Sequence, residues 1–307
     1  MKTFLLLFFL LLFVNCNGQQ NRTVQNVEPE ALTFKMVTIP EILTSPEERA
    51  DYLVKHYWDY FDFTNPGYVH LPEVSEQAFV DYIDILAYVS PETASASIKG
   101  MLKKAEVNKE VFGYFSELYE KYLYDPNSPM RNEEVYIPVL EYLVYSSQLD
   151  DVHKIRPTHL LEVALRNRTG RPATDFTYTL ANGRKQKLYE VKSDYTLLYF
   201  YNPDCSSCKE LTGELKSSEV VNRMIQSGKP KIVAVYPDED LTAWKNHLAE
   251  FPAEWINSYD QDVVLKEEEI YDLKAIPTIY LLDKDKNVVL KDTWFAQLEY
   301  VLQQLNQ

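Results

Sequence analysis

The stretch Thr196-Leu197-Leu198-Tyr199-Phe200-Tyr201-Asn202-Pro203-Asp204-Cys205-Ser206-Ser207-Cys208-Lys209 decides the fold of the C-terminal half of this chain. Its opening run of β-forming and apolar residues has the composition of a strand buried on both faces. Asn202-Pro203-Asp204 then supplies turn residues, and a helical pattern follows from about Ser206 to Gln226. Lys231 to Tyr236 is a second buried strand of the same kind, so the three pieces make a crossover unit with a parallel strand pair. The two cysteines fall where the helix begins. Amide groups left free at a helix start stabilise a negative sulfur, which makes Cys205 the candidate attacking thiol. Cys208, one helical turn later, is placed to reach back and release a mixed disulfide as an internal pair.

Further pieces lie outward from this unit. Phe176 to Leu180 and Lys187 to Val191 flank Asn182-Gly183, whose residues readily take the positive backbone angles of a tight hairpin turn. Pro277 to Asp283 and Val288 to Lys291 read as a second hairpin around Lys284-Asp285-Lys286, and Trp294 to Leu305 closes the chain as a helix. Residues 170–307 therefore read as an α/β domain. The boundary lies in the loop-rich Asn167-Arg168-Thr169-Gly170-Arg171-Pro172, because the period changes there from helical to strand-like.

Residues 42–166 carry the helical period and read as an all-α domain of about six short helices. Ser45-Pro46-Glu47-Glu48 is a capping box with proline at the first helical position, and Ser90-Pro91-Glu92 repeats the start signal. Leu53, Tyr57, Tyr60 and Phe61 follow the first start on one expected face. Val111, Phe115, Leu118, Tyr119 and Tyr122 make another stripe, Asp125 to Pro129 is a loop, and Val135 to Tyr145 and Leu160 to Leu165 complete the set. A sugar-binding platform could be built from so many tyrosines, but their spacing is that of core residues. His56, His70, His153 and His159 are scattered without ligand spacing.

From about Gly170 onward the chain resembles the TlpA/ResA-type thioredoxin-like thiol–disulfide oxidoreductases. The matching pieces are Thr174-Asp175-Phe176, the first hairpin, the strand before Cys205-Ser206-Ser207-Cys208, and Ala275-Ile276-Pro277-Thr278 leading into Ile279 to Asp283. The resemblance implies a thioredoxin-like fold and exchange through the Cys-x-x-Cys pair. It also implies a cis Pro277 facing the sulfurs and backbone bonds from Ile276 to a docked substrate peptide. Residues 42–166 are similar to an uncharacterised helical domain found in front of such domains in Bacteroidetes envelope proteins, which carries no activity with it.

Two departures qualify the resemblance. Asp204 stands where the family places an aromatic, and a neighbouring carboxylate is expected to raise the Cys205 thiol pKa by like-charge repulsion. Tyr199 stands where thioredoxins proper keep a buried carboxylate, and a phenol is a poor base at neutral pH.

Rival chemistries fare worse. Two thiolates need further metal ligands, yet the third cysteine is Cys16 and the domain-local histidine is His247. A thiol peroxidase would carry a threonine between Pro203 and Cys205. No glycine-rich nucleotide fingerprint occurs, so no cofactor is expected and electrons must come from another envelope protein. The expected partners are that donor and protein substrates bearing thiols or disulfides. The alternative is a non-catalytic thioredoxin-like binding or scaffold module in which the helical half recruits a partner.

A net charge of −15 speaks against binding nucleic acid, which requires phosphates to be neutralised by Lys and Arg. Lys2 followed by apolar Phe4 to Val14 is too short to span a bilayer as a helix and has the form of an export signal, so residues 1–18 are expected to be removed. Two readings of its end stay open: Cys16 as the lipid-bearing first residue of a lipoprotein, or ordinary cleavage after Gly18. Both place the chain in the periplasm or cell envelope, with the membrane touched only through such a lipid. Residues 19–41 read as a linker, polar and without periodicity to roughly Phe34.

Overall fold

The computed structural model describes residues 32–305. The expected signal peptide, Cys16 and most of the linker lie outside the described residues. Within these, residues 34–305 belong to one compact unit, which contains both the helical and the α/β parts.

Among the described residues, six α-helices make the first part: α1 (Pro46–His56), α2 (Pro72–Leu86), α3 (Pro91–Ala105), α4 (Lys109–Leu123), α5 (Glu133–Tyr145) and α6 (Asp151–Ala164). The capping box at Ser45 forms, with Glu48 N–H donating to Ser45 Oγ at 3.1 Å. Ser90 caps α3 in the same way through Thr93 N–H. α6 starts well before Leu160, because Asp150 accepts from His153 N–H and the helix carries Pro157 in its interior. A proline that breaks a helix in sequence terms is here held by the packing of its neighbours, Leu160 and Val163 being buried.

The linker expected over residues 19–41 ends earlier than the sequence suggests. Phe34 stacks on Tyr57 at 5.1 Å between ring centroids, and Val37 is buried. These aromatics continue into a cluster with Trp58, Phe61, Phe63, Tyr82 and Phe115, packed edge to face as ring quadrupoles favour. The buried phenols keep partners: Tyr57 donates to Ala78 O at 2.8 Å, and Tyr82 meets Ser97 Oγ at 2.8 Å. Tyr60 departs from the expected stripe and is exposed, because α1 has already ended at His56. Val54 is the residue that α1 buries.

The second part is a seven-stranded sheet: β1 (Thr177–Leu180), β2 (Lys185–Lys187), β3 (Tyr195–Phe200), β4 (Pro230–Tyr236), β5 (Ile256–Tyr259), β6 (Thr278–Asp283) and β7 (Val288–Lys291). The spatial order is β2-β1-β5-β4-β3-β6-β7. β3, β4 and β5 are parallel, whereas β6 runs antiparallel to β3 and β7 antiparallel to β6. The helices are α7 (Ser206–Ser217), α8 (Glu219–Gln226), α9 (Leu241–Asn246), the short α10 (Val264–Glu267) and α11 (Phe295–Leu305).

Three details differ from the sequence pattern. The expected single helix from Ser206 to Gln226 is two, since Ser218 ends α7 and caps α8 by accepting from Val221 N–H. The return strand of the first hairpin stops at Lys187, and Leu188 to Glu190 form a short 3-10 turn. β5 has no apolar signature, because its Asn257 and Ser258 satisfy buried partners rather than pack as hydrocarbon: Ser258 Oγ donates to Ala234 O at 3.0 Å.

Two apolar layers sandwich the sheet. Leu197, Tyr199 and Tyr201 face one side with Leu211, Leu215, Leu298 and Leu302 from α7 and α11. Leu198 and Phe200 face the other with Phe176, Tyr271 and Tyr280. This alternation along one strand is the two-residue period of a pleated sheet. It leaves the end of β3 as the place where the chain leaves the sheet for α7.

Candidate active site

Cys205 is the N-cap of α7. Its Sγ accepts from Cys208 N–H at 3.3 Å and lies 3.4 Å from Ser207 Oγ. The chain reaches this position through a turn organised by Asn202. Asn202 O accepts from Cys205 N–H at 3.2 Å, its Oδ1 accepts from Asp204 N–H at 2.9 Å, and its Nδ2 donates to Asp238 Oδ2 at 2.8 Å. An asparagine that bonds its own backbone two residues on is a recognised turn former, so Asn202 was open to detection in the sequence. Its backbone N–H also points at Cys208 Sγ, 3.5 Å away.

Facing Cys205 is the loop before β6. The Ile276–Pro277 peptide bond is cis, and Ile276 O lies 3.5 Å from Cys205 Sγ. The register explains why these groups meet: Phe200, the last residue of β3, pairs with Thr278, the first of β6. Continuing β3 forward and β6 backward brings both loops to the same end of the sheet. Of the residues singled out in the sequence, Cys205, Cys208, Ile276 and Pro277 are thus brought together.

Both cysteines are free thiols in contrasting environments. Partial burial pulls the Cys205 thiol upward, but the hydrogen bonds from Ser207 and Cys208 outweigh it and hold the thiol below its ordinary pKa. Asp204, which the sequence suggests should raise this thiol, is not among the groups that set this direction. The Asp204 carboxylate is mostly in solvent, at 71 % side-chain exposure, with His247 Nε2 3.8 Å away. A charge so hydrated and so near an imidazole weighs less than donors in direct contact with the sulfur.

Cys208 is almost fully buried, and burial pushes its thiol well above the ordinary value. The nearby Cys205 sulfur pushes the same way, while Asn202 N–H works against both. Tyr199 donates to Cys208 O at 2.9 Å and meets Thr212 Oγ1 at 3.0 Å. Burial raises the Tyr199 phenol as well, so the group next to the inner cysteine is a fixed neutral donor rather than a base. A cleft beside this inner cysteine is lined by Tyr201, Pro203, Thr212, Lys216 and Phe251, among others.

Comparison with known proteins agrees with this architecture. The model of a domain of unknown function, DUF5106, matches residues 15–167, and a thioredoxin-like family model matches residues 193–288. A thioredoxin-like protein from Bacteroides caccae is 48 % identical to this chain, with 90 % of this chain and 100 % of that one covered and a TM-score of 0.87. The thiol-disulfide oxidoreductase ResA of Bacillus cereus is 28 % identical over 142 residues, which is 44 % of this chain and 78 % of that protein. The chain belongs to the thioredoxin-like family, with a C-terminal domain homologous to the ResA-type thiol–disulfide oxidoreductases behind a helical DUF5106 domain.

Proposed function

We propose that the protein is a cell-envelope thiol–disulfide oxidoreductase that exchanges disulfides with protein substrates through Cys205 and Cys208. The observation that carries this reading is the position of Cys205 Sγ, on the first free amides of α7 and 3.5 Å from the carbonyl of Ile276. In the reductive direction the Cys205 thiolate attacks one sulfur of a substrate disulfide. The substrate's other sulfur leaves as a thiolate and takes up a proton. Ile276 and Pro277 form the edge on which the substrate segment docks as an added strand.

The contrast between the two thiols gives the order of events. Cys208 stays protonated while a negative Cys205 sulfur is beside it. Once Cys205 is tied up in the mixed disulfide that charge is gone, which removes one cause of the raised Cys208 thiol and leaves burial, the larger one, so Cys208 attacks Cys205 Sγ as it passes its proton to the departing substrate sulfur. The second substrate thiol is released and a Cys205–Cys208 disulfide remains. Two electrons and two protons from a dithiol protein of the envelope restore the starting state. The envelope location rests on the form of residues 1–18, with Cys16 as the lipid-bearing residue if that segment is of the lipoprotein type.

Insulin reduction with dithiothreitol as electron source tests the assignment. Cys205→Ser is expected to abolish turnover, and Cys208→Ser, incubated with insulin without dithiothreitol, to accumulate a mixed disulfide visible as a mass increase under non-reducing conditions. Equal behaviour of wild type and Cys205→Ser would favour the scaffold alternative instead.

A further inference from the structure

The docking edge hangs on a segment with little structure of its own. Between α10 and β6, residues 268–277 contain no helix or strand, and Glu269 takes a left-handed backbone conformation at φ 48°. Backbone carbonyls in such a segment must find donors elsewhere. Here the donors come from the end of the helical half, more than 100 residues away in the chain. Arg166 Nη1 donates to Glu268 O at 2.6 Å and to Glu269 O at 2.8 Å, and Asn167 Nδ2 donates to Ile270 O at 2.6 Å.

These donors are themselves fixed. Arg166 N–H closes onto Val163 O at the end of α6. Asn167 is buried with φ 50°, a conformation asparagine tolerates better than most residues, and its Oδ1 accepts from Thr174 N–H at 2.7 Å. Nearer the site, Lys274 is held through its side chain. Its ammonium lies 4.6 Å from the centroid of the Tyr124 ring, which follows α4, and 2.7 Å from Asp272 Oδ2. Two residues beyond Lys274 is Ile276, whose carbonyl faces Cys205 Sγ.

We propose that the helical half positions the substrate-docking edge: Arg166, Asn167 and Tyr124 hold the 268–276 segment so that Ile276 and Pro277 stand opposite Cys205. The inference rests on the oxidoreductase reading and assigns the helical domain a role in that reaction. Arg166, Asn167 and Tyr124 are positioning residues, since none touches the sulfurs. Their contribution falls on substrate docking rather than on the thiol, because the donors that hold the Cys205 sulfur come from α7 itself. Each clamp is a charge-assisted or buried polar contact of the kind whose loss is felt locally.

The test uses the full chain with Arg166→Ala, Arg166→Lys and Tyr124→Leu. Insulin reduction driven by dithiothreitol is expected to show KM raised at least threefold in Arg166→Ala and Tyr124→Leu, with kcat within twofold of wild type. Arg166→Lys, which can still reach one carbonyl, recovers most of the loss. The reaction of Cys205 with 5,5′-dithiobis(2-nitrobenzoic acid), which needs no docked peptide, stays within twofold throughout. Hydrogen exchange in peptides covering residues 268–279 speeds up at least fivefold in Arg166→Ala, while β3 and β4 are unchanged. Unaltered exchange in that segment, or faster exchange with unaltered KM, overturns the inference. So does a parallel fall of the insulin and small-disulfide reactions. A wild-type chain that leaves insulin intact would instead sink the oxidoreductase reading beneath it.

Discussion

Replacing Glu133 by glutamine makes a quantitative test of the junction between the two halves. Glu133 opens α5 and is nearly buried against β7, with Lys291 Nζ in contact with its Oε1 and Lys274 Nζ 3.8 Å from Oε2. Neither cation is committed to it. Lys291 also donates to Ala164 O at 3.1 Å and to Arg166 O at 2.7 Å, and Lys274 pairs more closely with Asp272. Burial therefore prevails over attraction to Lys291 and Lys274, and the carboxyl is pushed up from 4.5 to about 7. A carboxyl whose folded pKa exceeds its unfolded one favours the fold fully below the unfolded value. That contribution is lost as pH rises from about 4.5 to about 7 and is constant above. At about 1.4 kcal/mol per pH unit the loss amounts to roughly 3 kcal/mol. Glutamine mimics the neutral acid at every pH, so Glu133→Gln should resemble wild type at pH 4.5 and exceed its stability by up to roughly 3 kcal/mol at pH 8. Urea denaturation of both proteins across this range, followed by tryptophan fluorescence, reads the difference directly. A variant that becomes less stable than wild type as pH rises would show that the lysines outweigh burial, and the reasoning would fail.

The remaining predictions concern the thiols and their neighbours. The pH profile of Cys205 alkylation by iodoacetamide should have its midpoint below that of free cysteine and move upward in Ser207→Ala, which removes one hydrogen bond to the sulfur. In Cys205→Ser the remaining Cys208 should react at least tenfold more slowly than a free thiol at pH 8 while folded, and at the ordinary rate in 6 M guanidinium chloride. This follows because burial is the main cause of its raised pKa. Tyr199→Phe removes a hydroxyl that serves Cys208 O and Thr212, so it should lower stability by about 1 kcal/mol in urea titrations. The same variant should keep insulin reduction within threefold of wild type, whereas a loss of a hundredfold would mean that the phenol moves a proton.

What could be read from the sequence and what could not divide along a physical line. The strand before Asn202, the helix start that Cys205 caps and the hairpin after Pro277 are set by local composition and period, and each is found at its expected place. β5 escapes such reading because its inward residues are polar and its reason for being buried lies in partners: Asn257 Oδ1 accepts from Tyr201 Oη at 2.7 Å and from Trp244 Nε1 at 3.3 Å. Asp204 illustrates the converse. Adjacency in sequence suggests a charge acting on the sulfur, but a side chain in water acts weakly while backbone and hydroxyl donors in contact act strongly. The same rule explains why the role of the helical half leaves no trace in residue patterns. The part of its hold on the docking edge that Arg166 and Asn167 make runs from side-chain donors to main-chain carbonyls, and every residue has such a carbonyl, so no motif marks the receiving side. On the donating side an arginine and an asparagine at the end of a helix are ordinary loop residues. If that hold governs docking, substitutions at Glu268 that keep the backbone in place should leave insulin KM unchanged, because it is the Glu268 carbonyl and not its carboxylate that Arg166 reaches, whereas the Glu269 carboxylate also meets His159 Nε2 at 3.3 Å.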